Sequence, residues 1–244
     1  MADGPSQPRR WSIPPYHCFY LFLVLLLLIV LLPVFDRSKA GQQWFSIVNL
    51  LVLVTSLVAI GRSRYTLLVA ALLAAPALLL LWLSETTGDA GYRVLSWRFS
   101  IAVLVATLVP LLRYVLGPEV MTIDKVFGGA AAYLLLGLLW CYFYALAEHR
   151  SPGSLEGLPS GSTHVADMVF FSYGTLTTGG LADIVPRAKA VHALVILEQL
   201  TGTLFMAVVV ARLVSSYPRH GATDGVDGSH QTHPTKSPTP PGSI

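Results

Sequence analysis

Long apolar runs, separated by short polar segments, dominate the chain. They fill residues 18–35, 45–60, 66–83, 99–116, 126–147 and 190–214. Most approach the ~20 residues that a helix rising ~1.5 Å per residue needs to cross ~30 Å of hydrocarbon. The runs are continuous rather than alternating. In lipid every backbone N–H and C=O must find its partner within the protein, so such runs select helices over a barrel. The pattern predicts an all-α membrane protein with six transmembrane helices. Trp44, Trp82 and Trp97 fall at or beside the ends of these runs, where amphipathic indole rings prefer the headgroup layer.

Composition agrees: 54% of the 244 residues are hydrophobic and only 12% are charged, so lipid is the solvent for most of the chain. No basic run points to nucleic acid, and Cys18 and Cys141 lie in apolar runs without metal-ligand spacing. Residues 1–17 form a polar segment with Arg9 and Arg10 before the first run, and Ser38-Lys39-Ala40 imitates a signal-peptide cleavage site. The run is longer than a signal core of ~7–15 residues and further helices follow it, so it reads as an uncleaved anchor. Basic residues flanking the spans divide eight to seven in favour of a cytoplasmic N-terminus. Residues 218–244 are rich in Gly, Ser, Thr, Pro and His, including His220, His230 and His233. They read as a disordered tail that cannot repay the entropy of ordering. The chain thus divides into a cytoplasmic N-terminal segment (1–17), a four-helix membrane domain (18–117), a C-terminal membrane domain (118–217) and the tail.

The segment between the fifth and sixth runs is unusual. Residues 166–178 are apolar and aromatic yet too short to cross and return, and Gly179-Gly180-Leu181-Ala182-Asp183-Ile184-Val185-Pro186 stops the helix before the last run begins. A half-helix, an extended run and a full helix make a re-entrant loop. Non-helical backbone at membrane depth is tolerated only where it is buried in protein or lines a water-filled cavity, so the pattern implies a pathway. Ser160 to His164 read as a flexible turret before it.

Thr175-Leu176-Thr177-Thr178-Gly179-Gly180-Leu181-Ala182-Asp183-Ile184-Val185-Pro186 resembles the pore signature of potassium channels, T-x-T-T-V-G-Y-G-D followed by an apolar residue and Pro. With its flanking helices the likeness covers about residues 126–216. The resemblance implies a two-helix pore module with a pore helix over 167–177, containing Thr175 and Thr177, whose C-terminal dipole end favours a cation. Thr178, Gly179, Gly180, Leu181 and Ala182 would form the selectivity filter, whose backbone carbonyls replace the ion's hydration shell. Three filter positions depart from the pattern: Gly179 for Val, Leu181 for Tyr and Ala182 for Gly. At a left-handed position the Cβ of Ala182 costs roughly 1–2 kcal/mol. Leu181 lacks a phenolic hydroxyl, and Phe170 and Phe171 behind it have no N–H donor. The implied function is a homotetrameric cation channel with altered or weak potassium selectivity, passing K+ or Na+ and needing no other cofactor and no metal site.

Asp183 follows the filter, either as an acidic ring at the pore mouth or as a helix-side cap or surface charge. Gly202, near the middle of the last helix, is either a gating hinge, as the family suggests, or a site of close helix packing. Glu198 is an ionisable group in an apolar helix, placed for a cavity, for a bond to the pore helix, or for a purely structural hydrogen bond. The fourth run carries only Arg113, which does not make a conventional voltage sensor. No helix carries paired carboxylates, a His-rich metal set or a nucleophile with a base, which argues against an enzyme. A non-conducting scaffold or sensor with the channel fold is the alternative, and a transporter is weaker because no inverted repeat is visible. The expected place is the plasma membrane, multi-pass, with both termini cytoplasmic.

Overall fold

A computed structural model of the protein describes residues 17–35, 86–117, 122–158, 165–180 and 183–215, with scattered positions between 72 and 84. The expected spans 45–60 and most of 66–83, the N-terminal segment, the turret loop, Leu181, Ala182 and the C-terminal tail lie outside the described residues. What is described is almost entirely helical: α1 (His17–Phe35), α2 (Ala90–Val115), α3 (Ile123–Arg150), α4 (Val165–Leu176) and α5 (Lys189–Ser215), with a two-stranded ribbon of β1 (Leu155–Glu156) and β2 (Val185–Pro186). Among the described residues α2, α3 and α5 are long and apolar enough to cross a membrane. This is an all-α membrane protein.

The helix starts follow local chemistry. Asp89 has extended backbone angles, and its side chain accepts a hydrogen bond from Gly91 N at 2.8 Å. That cap sets the start of α2 at Ala90 rather than at residue 99, where hydropathy alone begins the span. The added turns carry Arg93 and Arg98, which an apolar window rejects, but also Trp97, which is buried. At α3 the Thr122 side chain accepts from Lys125 N at 3.3 Å, and Asp124 places a carboxylate in the first turn, where the helix dipole favours it.

The organising element is α3. It packs against α1, α2, α4 and α5. Its buried positions include Gly128, Gly129, Ala131, Ala132 and Gly137, and such small residues let helix backbones approach closely in a membrane. At its N-terminal end the Asp124 carboxylate gathers two neighbours. Oδ1 accepts from Cys18 N on α1 at 3.0 Å, and Oδ2 accepts from the Tyr114 hydroxyl on α2 at 3.0 Å. Arg212 on α5 donates to the Gly117 carbonyl just beyond α2. One carboxylate therefore joins the α1–α2 layer to α3.

Asp124→Ala should remove both acceptors and cost about 1–3 kcal/mol for the donors left unpaired. Hydrogen–deuterium exchange in detergent is expected to rise at the N-terminal end of α1 and around Tyr114, while α4 stays protected. Unchanged exchange at Cys18 would show that the junction carries no weight.

Candidate functional site

α4 is 12 residues long, roughly 18 Å at the α-helical rise and too short to cross. One face, made of Met168, Val169, Phe171, Ser172, Thr175 and Leu176, is buried against α3 and α5. Phe171 packs edge-on against Tyr144 of α3, ring centroids 4.9 Å apart, whereas Phe170 is 57% exposed on the other side.

The end of α4 accounts for all its carbonyls. Thr177 N donates to Tyr173 O at 3.0 Å, Thr178 N to Thr175 O at 2.9 Å, and Gly179 N to Gly174 O at 2.8 Å. Gly180 N also reaches Gly174 O at 3.2 Å, and the Tyr133 hydroxyl donates to Leu176 O at 3.2 Å. With Thr178 at φ 56° this is a Schellman cap, in which the residue after the cap turns left-handed and the next N–H reaches back five residues. Glycine is usual at that position; here a β-branched threonine holds it, with its Oγ1 bonded to Thr177 O at 2.7 Å. Gly180 is left-handed too, at φ 60°.

The turn has a definite polarity. The N–H groups of Thr178, Gly179 and Gly180 all point back into α4, while among the described residues their carbonyls accept no hydrogen bond. These residues are exposed.

Side chains from α3 and α5 fix α4 in place. The Tyr173 hydroxyl donates to Leu134 O at 2.5 Å, with its ring over Gly137, where a Cβ would stand 2.5 Å from Tyr173 Cε1. The Tyr144 hydroxyl donates to Glu198 Oε2 at 2.5 Å, and Ser172 Oγ lies 2.6 Å from Glu198 Oε1 and 2.8 Å from Gly137 O. Gly202 meets the last turn of α4 so closely that an added Cβ would lie 2.5 Å from Leu176 O.

Beyond the turn, Asp183 is exposed and Ile184 buried. Val185 and Pro186 pair antiparallel with Glu156 and Leu155, and Arg187 forms an ion pair with Glu156. Glu148, at the end of α3, shapes the incoming loop by accepting from Gly153 N at 2.6 Å, Ser154 Oγ at 2.8 Å and Leu155 N at 2.9 Å. The segment after the turn is thereby tied to the C-terminal end of α3.

Of the residues singled out from sequence, Thr175, Thr177, Thr178, Gly179 and Gly180 come together at one helix end, with Gly202 against it. Glu198 is wholly buried against Ser172 and Tyr144, and Asp183 stands apart at the surface. Sequence reasoning passed over Tyr133, Tyr144, Ser172, Tyr173 and Glu148. A signal existed: Tyr133, Gly137 and Tyr144 stand at spacings of four and seven, one face of a helix. Among the described residues no group of three or more His, Cys, Asp and Glu side chains is placed to hold a metal.

Residues 129–217 match a family model described as "Ion channel", the two-helix pore domain of potassium-channel type. No curated protein and no solved structure matches the chain. The matched stretch runs from α3 through α4 to the end of α5, the elements that build this site.

Gly202→Ala should cost about 1–3 kcal/mol, because the methyl group meets backbone rather than a yielding side chain. Gly180→Ala, with nothing within 4 Å of its added Cβ, should cost about 1–2 kcal/mol through its left-handed angle alone. Thermal unfolding in detergent checks both. A Gly202→Ala protein as stable as the wild type would show that α5 is not seated on Leu176.

Proposed function

We propose, on the premise that residues 129–217 form a potassium-channel-like pore module, that the protein is a homotetrameric cation channel with weak potassium selectivity. In this reading α3 and α5 cross the membrane, α4 is a re-entrant pore helix, and Thr178 to Ala182 form the filter. The observation that carries it is the polarity of the turn: N–H groups committed to α4, with carbonyls that accept no hydrogen bond among the described residues, suit a ring of cation-binding oxygens.

Two further features support assembly. One turn per chain cannot enclose an axis, and rotational closure of identical copies solves this. α5 presents Ile196, Leu197, Leu200, Leu204, Val208 and Leu213 outward, an apolar surface suited to lipid and neighbouring copies.

Weak selectivity follows from the departures at Gly179, Leu181 and Ala182, and the exposed Asp183 would form an acidic ring concentrating K+ or Na+ at the mouth. On α2, Arg93, Arg98 and Arg113 are not spaced at every third residue, which argues against a conventional voltage sensor. Gly202 serves close packing against Leu176, and hinge bending at the same residue is a second use that opening kinetics can test. Six crossings with both termini in the cytoplasm, in the plasma membrane, complete the proposal.

Purified protein in liposomes should pass K+ and Na+ but not Cl−, and Gly180→Asp should abolish the flux. Asp183→Asn should lower cation conductance at low salt, where screening is weakest. Flux of no ion from the wild type would favour a non-conducting scaffold with the channel fold.

A further inference from the structure

Glu198 lies in the middle of α5 with no exposed surface and touches two other helices. Oε2 accepts from Tyr144 on α3, and Oε1 meets Ser172 on α4, whose hydroxyl also reaches the Gly137 carbonyl of α3. Tyr144 and Ser172 are themselves wholly buried. A carboxyl group is expensive to bury, and an apolar residue of similar size commonly packs as well or better in such a place. Its presence in an apolar membrane helix therefore marks a function beyond filling space.

The position suggests what that function is. Ser172 stands six residues before Thr178 on a continuous, capped helix, so any shift of α4 is passed rigidly to the turn. The apolar and backbone contacts of α5 with Leu176 limit approach but do not set direction, because packing contacts are non-directional. The Glu198–Ser172 bond is directional, and Tyr144 holds the carboxyl in one orientation.

We propose that Glu198 is a positioning residue that couples α5 to the selectivity turn: through Ser172 it fixes α4 against α5, so that the place of the inner helix determines which cations the turn admits. The inference rests on the channel reading above. Glu198→Gln keeps the shape, with one amide atom to accept from Tyr144 and the other to donate to Ser172. Glu198→Ala removes the links to Tyr144 and Ser172, and Ser172→Ala removes the link to Glu198 together with the bond to the Gly137 carbonyl.

The test is the K+ to Na+ permeability ratio, from reversal potentials in planar bilayers, together with hydrogen–deuterium exchange of residues 173–180. Glu198→Ala and Ser172→Ala should each shift the ratio roughly fivefold, the weight of one buried hydrogen bond, and Glu198→Gln by less than about twofold. The double variant should shift it by less than the product of the two single changes, since the Glu198–Ser172 bond is common to both. Exchange at 173–180 should rise in both alanine variants while residues 126–136 of α3 stay protected. A ratio unchanged by either alanine, or shifts that add, overturns the proposal. If Glu198→Ala does not assemble, Ser172→Ala carries the comparison. If the wild type passes no cation the channel reading falls, and exchange at 173–180 alone decides whether Glu198 holds α4.

Discussion

A helix leaves its last carbonyls without partners inside itself, and the end of α4 is built around that constraint. Each carbonyl from Tyr173 to Leu176 has a partner: three are served by the turn that follows and the fourth by the Tyr133 hydroxyl. Serving them from Thr177, Thr178, Gly179 and Gly180 consumes the N–H groups of those residues, while among the described residues the carbonyls of Thr178, Gly179 and Gly180 accept no hydrogen bond. The capping requirement and the lack of acceptor bonds at these carbonyls among the described residues are thus one arrangement. A helix ended by water or by unrelated side chains would leave the following backbone undirected.

The elements around α4 are placed to keep that turn in position. Tyr173 anchors it to Leu134, Ser172 to Gly137 and Glu198, and Gly202 lets α5 close on Leu176 without a side chain between. On the far side of the turn the chain is held by β1 and by the Glu156–Arg187 pair, which at the surface contributes little by itself. The stronger restraint there is Glu148, whose carboxylate takes three donors from the loop that carries β1. Both ends of the turn are therefore referred to the same helix, α3, which also receives α1 and α2 through Asp124.

How far this could be read from sequence depended on which kind of signal each feature leaves. The apolar runs at 18–35, 126–147 and 190–214 coincide closely with α1, α3 and α5, because hydropathy reports lipid exposure directly. The start of α2 escaped it, since Asp89, Arg93 and Arg98 look like loop residues until the cap is seen. The short helix was legible from the glycine pair that ends it. The polar anchors were legible only in part: Tyr133 and Tyr144 share a helix face with Gly137, but their partners, and those of Ser172, lie on other helices, which no spacing within one helix identifies. Glu198 stood out by its cost alone. Its choice among the three roles open to it needed the neighbouring helix.

Thr178 shows how these layers combine. A β-branched residue in the left-handed region costs roughly 1–2 kcal/mol, a cost glycine avoids. The cap bonds from Thr178 N and Gly179 N offset part of it, and the hydroxyl gains Thr177 O. Such strain persists only where the surroundings over-determine the backbone, and it gathers where function needs a fixed geometry. Here the over-determination is visible: α4 is pinned before the turn by Ser172 and Tyr173, and the chain after it by Val185 and Pro186. Between two fixed ends the threonine has little freedom to relax, and the backbone it orders keeps one geometry.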